Sequence, residues 1–379
     1  MEKQKVNMGR VITLAGAFIA LLIGSGFATG QEIMQFFSAW GLLGLAGIIV
    51  ICVLFTFVGL YFVEDGYYRE YDRPNDIYKA ILGNAFGTFF DYFAVFFIFL
   101  SYAIMVAGAD ATAMQHYNAP KLVGGLILAA VVIIIAMLGL SKIVDVIGNI
   151  GPVIAIMTII IGLISIVQNW DNLSNALNLV SQYRQGGDMK VVGANFLFAA
   201  FAYVGFNLIW LVAFLTDIGK TTKNLYETKS GVKLGALVFS IAMAVVSLAI
   251  ILSIEEVHTS QIPVLVLAGN VHPVLATVFS VLIFLGIFTS AVPLLWTVVD
   301  RFFTEGTKTY KLGALGLGVA GAIVGLTIGF SDLVNKAYQY CGYVGFILLF
   351  VMLFRKLSGK QAEVNKVAAK DHNKPYLGK

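Results

Sequence analysis

The stretch "LLIGSGFATGQEIMQFF", Leu21 to Phe37, lies inside the first apolar run of the chain, yet it holds three glycines, Ser25, Thr29, Gln31 and the ionisable Glu32. Glycine weakens a helix by roughly 1 kcal/mol relative to alanine, so Gly24-Ser25-Gly26 is a place for a helix to open. Opening frees N–H and C=O groups that hydrocarbon cannot satisfy, and the break must then line a polar cavity. Freed carbonyls can hold a cation, and freed amides at the positive end of the following half-helix can hold a carboxylate. A plainer reading stands beside this one: Gly26 and Gly30 form a GxxxG, the signature of close helix packing. A phosphate loop is excluded, because no Gly-Lys-Ser/Thr follows and no strand precedes.

The rest of the chain says what kind of solvent surrounds this stretch. Of its 379 residues 59% are hydrophobic and only 12% charged, against about 25% charged in soluble domains. An integral membrane protein is expected, with the lipid bilayer as its surroundings. A net charge of +4, scattered along the chain, gives no footing for nucleic acid. Cys52 and Cys341 both lie in apolar runs, which supports neither a disulfide framework nor a metal cluster. The basic N-terminal segment leads into a long apolar run without a small-residue cleavage site, and reads as a retained first span.

A spanning helix needs about 20 apolar residues. Such runs occur at 11–37, 41–63, 88–109, 122–140, 143–168, 191–216, 231–254, 272–299, 313–330 and 334–354. They lack the alternation of barrel strands. With the N-terminus on the cytoplasmic side, 21 of the 25 basic residues fall on inner segments, leaving Lys121, Arg184, Lys190 and Lys336 outside. The positive-inside bias therefore places both termini in the cytoplasm. Two outer segments are more than turns, 168–188 and 255–273. In the second, Ile262 to Leu267 is too short to span and reads as a re-entrant or surface helix over an outer vestibule. The lysine-rich tail, 358–379, reads as flexible and disordered.

Five spans after the first interruption comes a second. "NFLFAAFAYVGFNLIWLVAF", Asn195 to Phe214, is broken near its middle by Tyr203, Gly205 and Asn207. Interruptions in spans one and six of ten are what a five-plus-five inverted repeat produces, and paired broken helices point to a transporter's central site. The expectation is one all-α membrane domain of about ten helices, with helices one and six broken. Repeat one would cover about 10–168 and repeat two about 191–357.

"GSGFATGQE", in a compact ten-span chain, resembles the bacterial YkvI-type membrane proteins. More broadly it resembles the amino acid–polyamine–organocation superfamily with its LeuT-like fold. That resemblance implies secondary active transport of a small organic solute, often an amino acid, with sodium or protons as coupling ion. It implies that Gly24, Ser25, Gly26 and Phe27 are the unwound part of span one that cradles a substrate carboxylate. Tyr203, Gly205 and Phe206 match the break in span six, beside Asn207, and Tyr102 matches a tyrosine that closes over the substrate. Thr289 and Ser290, in "FLGIFTSAVPLLW", match the hydroxyl pair of a sodium site, with carbonyls of Ala20, Ile23 and Gly286. Sodium suits such oxygens, although buried Ser and Thr also bond back to their own helix. Lys142 sits too shallow for the lysine of proton-coupled relatives, which favours sodium. No organic cofactor is implied.

Glu32 has no clear counterpart in that pattern. A carboxylate in a membrane helix should face a cavity and have a partner. Lys336 at the start of span ten is a basic residue in the outer half of a span, so a Glu32–Lys336 outer gate is expected. The competing reading gives Glu32 to substrate or water and Lys336 to the surface. Asp91, Asp110, Asp145 and Asp300 lie near span ends and read mainly as capping charges; Asp145 and Asn149, one turn apart, are candidates for an inner exit path. His116, His258, His272 and His372 show no metal spacing, and no selectivity-filter loop is visible. An enzyme or a channel is therefore disfavoured. A solute receptor or sensor on the same fold, or a proton-coupled transporter, is the alternative to a sodium symporter.

Overall fold

The computed structural model describes residues 6–23, 25–138, 150–372, 374 and 376. All regular elements among them are helical. The first span is divided into α1 (Met8–Leu22), α2 (Ser25–Thr29) and α3 (Gln31–Phe36). Then come α4 (Leu42–Arg69), α5 (Asp76–Leu82), α6 (Asn84–Tyr117), α7 (Val123–Leu138), α8 (Ile150–Asn169) and α9 (Leu173–Gly186). The second half holds α10 (Phe196–Thr221), α11 (Leu225–Leu252), α12 (Pro263–Val271), α13 (Pro273–Phe302) and α14 (Lys308–Ile328). A π-helical turn, Val334–Tyr338, leads into α15 (Gln339–Leu357), and α16 (Lys360–Asp371) follows. Among the described residues, eight helical stretches are long and apolar enough to cross a membrane, and α1 and α7 are shorter apolar helices. As far as the described residues go, these lie in the apolar runs expected to span.

Side chains in the sequence set the helix starts. Asn195 caps α10 by accepting from the amides of Leu197 and Phe198, at 3.0 and 3.1 Å. Asn224 does the same for α11 and Thr307 for α14, each filling an orphan donor of the first turn. The long helices carry apolar residues on their outer faces as well, for example Ile49, Val53, Phe96, Ile127, Ile134 and Ile323, all exposed. In water such a belt would be an aggregation surface; in a bilayer it is the face that meets lipid.

Packing divides the helices into two groups. In one, α1 lies on α11, α4 lies on both α10 and α11, and α15 covers α10. In the other, α6 packs on α7, α13 and α14, and α7 on α13 and α14. Numbered as spans, one on seven exchanges with six on two after a shift of five, and three on nine with eight on four. Pairings of that kind are what a five-plus-five repeat generates. The exception is span ten, which covers span six closely while span five (α8) only grazes span one.

Two expectations are corrected. Span six is not broken: α10 runs without interruption through Tyr203, Gly205 and Asn207. Its glycine serves packing. A Cβ on Gly205 would lie 2.1 Å from the Gly342 carbonyl oxygen, and one on Gly345 would lie 1.9 Å from that of Gly205, so the two helices meet backbone to backbone. Asn207 Nδ2 donates to the Tyr203 carbonyl at 2.9 Å, which ties the polar side chain to its own helix. Within the expected disordered tail, Lys360–Asp371 is helical, and this α16 docks on the end of α4. It buries Gln361, Asn365 and Ala369, spaced four apart on one helix face.

Basic residues from distant segments gather at one end. Arg10 meets Glu227 at 3.8 Å, Lys229 meets Glu64 at 2.6 Å, and Arg301 meets Asp91 at 2.6 Å. Lys220 donates to the Tyr71 carbonyl at 2.7 Å, and Lys374 to that of Tyr67 at 2.6 Å. The first and last described stretches come together here, the Asn7 amide donating to Glu227 and Lys374 to the Tyr67 carbonyl. Asp145, Asn149 and Lys142 fall outside the described residues.

Candidate solute site at the break in the first span

Helix α1 stops at Leu22, where Ile23 donates to the Ile19 carbonyl at 2.8 Å and then turns away with ψ 79°. The chain is helical again from Ser25 for a turn, reaches Gly30 at φ +80°, and restarts as α3. Only glycine takes that left-handed conformation cheaply. Gly30 also faces α12, since a Cβ there would meet Val264 Cγ2 at 2.6 Å. The segment 262–267, expected as a short helix over a vestibule, is thus a buried element that holds the broken span from the far end.

A cavity of about 260 Å³ opens at this break, between the two helix groups. Ala20, Ile23, Gly26 and Glu32 of the first span face Met105 of α6, Phe206 and Asn207 of α10, and Ser290 of α13. From Ser290 the lining continues along α13 through Pro293 to Thr297, about 10 Å of helix, and past Trp210 of α10. It therefore extends toward the basic end, where α13 carries Arg301 and α10 carries Lys220. On the other side it is sealed by rings. Tyr203 packs edge-on against Phe36 and Phe37 at 5.3 and 5.1 Å, and Phe206 stacks on Tyr338 at 4.4 Å.

Glu32 is buried, 6% exposed, beneath those rings. Tyr203 Oη donates to its Oε2 across a long 3.4 Å. The carboxylate occupies the space a side chain at position 26 would need: a Cβ there would lie 1.5 Å from Glu32 Oε1. The absence of a side chain at 26 leaves room for the carboxylate in this position, a role beyond helix packing.

The remaining expected residues divide. Gly26, Phe206 and Asn207 line the cavity, and Tyr203 reaches it through Glu32. Phe27 is fully buried against Phe239, with ring centroids 5.8 Å apart, outside the lining. Gly205 faces α15, as described. Tyr102 turns to α14 instead, where its hydroxyl donates to the Gly318 carbonyl at 3.2 Å and its ring fills the space beside Gly321. Gly24 and the Ser25 side chain lie outside the described residues. For the cation site, Ala20, Ile23 and Ser290 share the cavity wall. Thr289 instead donates to the Gly286 carbonyl at 3.1 Å. Met105, Trp210 and Tyr338 were missed; Met105 and Trp210 lie on uninterrupted helices and Tyr338 at the end of a π-helical turn, and nothing local in the sequence marks them.

Lys336 is exposed and forms no ion pair with Glu32; an ion pair on that side joins Lys190 to Asp332 at 2.9 Å. Closure past the rings is made by uncharged groups. The Gln31 amide, oriented so that both its ends are satisfied, donates to the carbonyls of Ser260 and Gln261 at 3.1 and 3.2 Å. Its oxygen accepts from Gln35 Nε2 and Ser331 Oγ, both at 2.7 Å. Asn335 Nδ2 donates to Gln35 Oε1 at 2.9 Å and to the Val191 carbonyl at 3.1 Å. Sequence reasoning looked for opposite charges here and passed over this amide network.

No family model matches the chain. Over its length it is homologous to two Bacillus subtilis proteins. "Uncharacterized membrane protein YkvI" is 25% identical over 363 residues, 94% of this chain and 98% of that protein. "Uncharacterized protein YyaD" is 23% identical over 339 residues, 89% and 95% of the two chains. Solved structures show the same LeuT-like fold. MhsT in complex with L-phenylalanine aligns with a TM-score of 0.57 at 15% identity, over 92% of this chain and 89% of that one. The Eremococcus coleocola manganese transporter, in complex with an aromatic bis-isothiourea substituted compound, aligns at 0.55 and 14% identity, over 92% and 86%.

Proposed function

We propose that this chain is a secondary active transporter of a small organic solute such as an amino acid or an amine, working by alternating access around the cavity at the span-one break. The observation that carries this reading is the cavity itself, buried at a helix break between two separately packed helix groups. It is sealed by rings and amides on one side and extends along α10 and α13 on the other. Uptake into proteoliposomes tests it. Accumulation of labelled solute against its gradient supports transport, whereas binding without accumulation under any ion gradient makes the protein a receptor.

Sodium is the proposed coupling ion. Ala20 and Ile23 of the first span and Ser290 of α13 all line the cavity, and backbone carbonyls and a hydroxyl are the donors a hard cation prefers. The Thr289 hydroxyl, bonded to Gly286, would have to turn to join them. When bound, sodium would supply a gradient whose energy drives the solute. Accumulation that follows a proton gradient and ignores sodium would assign coupling to protons.

In the orientation we propose, the basic end is cytoplasmic, in keeping with the positive-inside bias. The ring-sealed side then faces out, and this conformation is closed to the outside.

A further inference from the structure

We infer that the central cavity recognises a small organic cation, with Glu32 as the counter-charge of its headgroup and Phe206, Trp210 and Tyr338 as its aromatic wall. This deepens the reading of the cavity as a solute site and rests on it. Glu32 is the one acidic or basic side chain among the described residues of the lining, and no lysine, arginine or histidine faces it there. A buried carboxylate without a counter-charge is costly in a low dielectric. Its one hydrogen bond in the structure, from Tyr203 at 3.4 Å, is too long to offset that cost. A cation entering the cavity supplies what is missing.

The other walls decide which cation. A metal ion needs several oxygens, and much of the lining is apolar or aromatic, with Met105, Leu294 and the rings of Phe206, Trp210 and Tyr338. Aromatic faces attract weakly hydrated organic cations. An anionic group fares poorly here. The Asn207 amide already donates to Tyr203, and the helical pieces beside the break have only five and six residues, too short for much dipole. The volume, about 260 Å³, lies below that of pockets for drug-sized ligands. The occupant is compact.

The test uses the full-length protein in detergent and measures thermal stabilisation, which reports ligand affinity by mass action. Matched probes vary the charge: choline against its uncharged isostere 3,3-dimethylbutan-1-ol, and ethanolamine and isobutylamine against serine and valine, which carry an added carboxylate. At least one cation should stabilise the wild type with an affinity tenfold or more above that of its matched neutral or zwitterionic partner. Glu32→Gln should remove that preference. Equal binding of partners, no cation-dependent shift across the panel, or a preference unchanged in Glu32→Gln would overturn the inference. The wild-type comparison decides it even where the variant does not fold. Proteoliposome uptake separates the two readings. Zwitterions accumulated in preference to amines would defeat the cation while leaving transport intact, and amine binding without accumulation would do the reverse.

Discussion

Gly26 and Glu32 share one volume: a methyl group on residue 26 would come within 1.5 Å of the Glu32 carboxylate oxygen. The carboxylate is therefore positioned by an absence of side chain six residues earlier. Gly26→Ala should displace Glu32 and lower solute affinity by tenfold or more, with an overpacking cost of roughly 1–3 kcal/mol. Thermal unfolding with and without solute measures both effects. Unchanged affinity in a folded Gly26→Ala protein would mean that the carboxylate has no part in the site.

The contact of α10 with α15 offers a sharper stability test. Gly205→Ala should destabilise by roughly 1–3 kcal/mol, because the backbones cannot part without opening the whole interface. Gly316→Ala, on α14 with open space around it, should be neutral or stabilising by up to about 1 kcal/mol. Chemical unfolding of the two variants side by side makes the comparison. Equal effects would show that the Gly205 contact contributes nothing special.

The hydroxyls of α13 are not equivalent. Ser290 lines the cavity and Thr289 is bonded to its own helix. Ser290→Ala should lower sodium stimulation of uptake by about tenfold, and Thr289→Ala by less, as expected of a helix-bonded hydroxyl. Replacing both should abolish it. Sodium dependence that survives in the double variant would move the ion elsewhere.

The docked tail should respond to pH. The hydrogen bond from Lys374 holds the Glu70 carboxyl below its ordinary value of 4.5, helped by the charges of Lys374, His372 and Lys220. A lowered value means that docking is favoured above pH 4.5 and lost as pH falls through the lower, docked value. The pair is partly exposed, so the contribution is at most about 1 kcal/mol, roughly fivefold in amide protection. Hydrogen exchange over 360–371 should show that loss in acid, and in Glu70→Gln at neutral pH. Protection indifferent to both would leave the tail held by Gln361, Asn365 and Ala369 alone.

Orientation is tested by single cysteines at Asn175 and Lys366, both exposed. An impermeant thiol reagent on intact cells should label position 175 and spare 366. The opposite pattern would invert the proposed topology.

Span positions were legible because hydrocarbon thickness imposes a length on every apolar run. The first break was legible too, since Gly24, Gly26, a hydroxyl and a carboxylate in one run have few uses in lipid. Gly205 misled because a glycine that admits a neighbouring backbone reads, locally, like one that ends a helix. Only the partner distinguishes them, and Gly342 and Gly345 lie well over a hundred residues away. The tail misled for a similar reason: its lysines are soluble in any conformation, and the face that docks is Gln361, Asn365 and Ala369, none of them apolar enough to announce burial. Charge led to a Glu32–Lys336 gate, where the fold uses amides, and amides leave no mark in a count of charges.

Where α10 meets α15, no side chain lies between the two chains at Gly205, Gly342 and Gly345. Such a joint cannot slide, because sliding needs a layer of side chains to exchange partners. Spans six and ten should then swing as one lever. Any bending within the last span must be taken up at its π-helical start, Val334–Tyr338, where an extra residue per turn loosens the ladder. Tyr338, the ring that stacks on Phe206, stands at the end of that turn. The pivot and the seal are therefore the same few residues, so the molecule cannot rotate its lever without also moving the lid over Glu32.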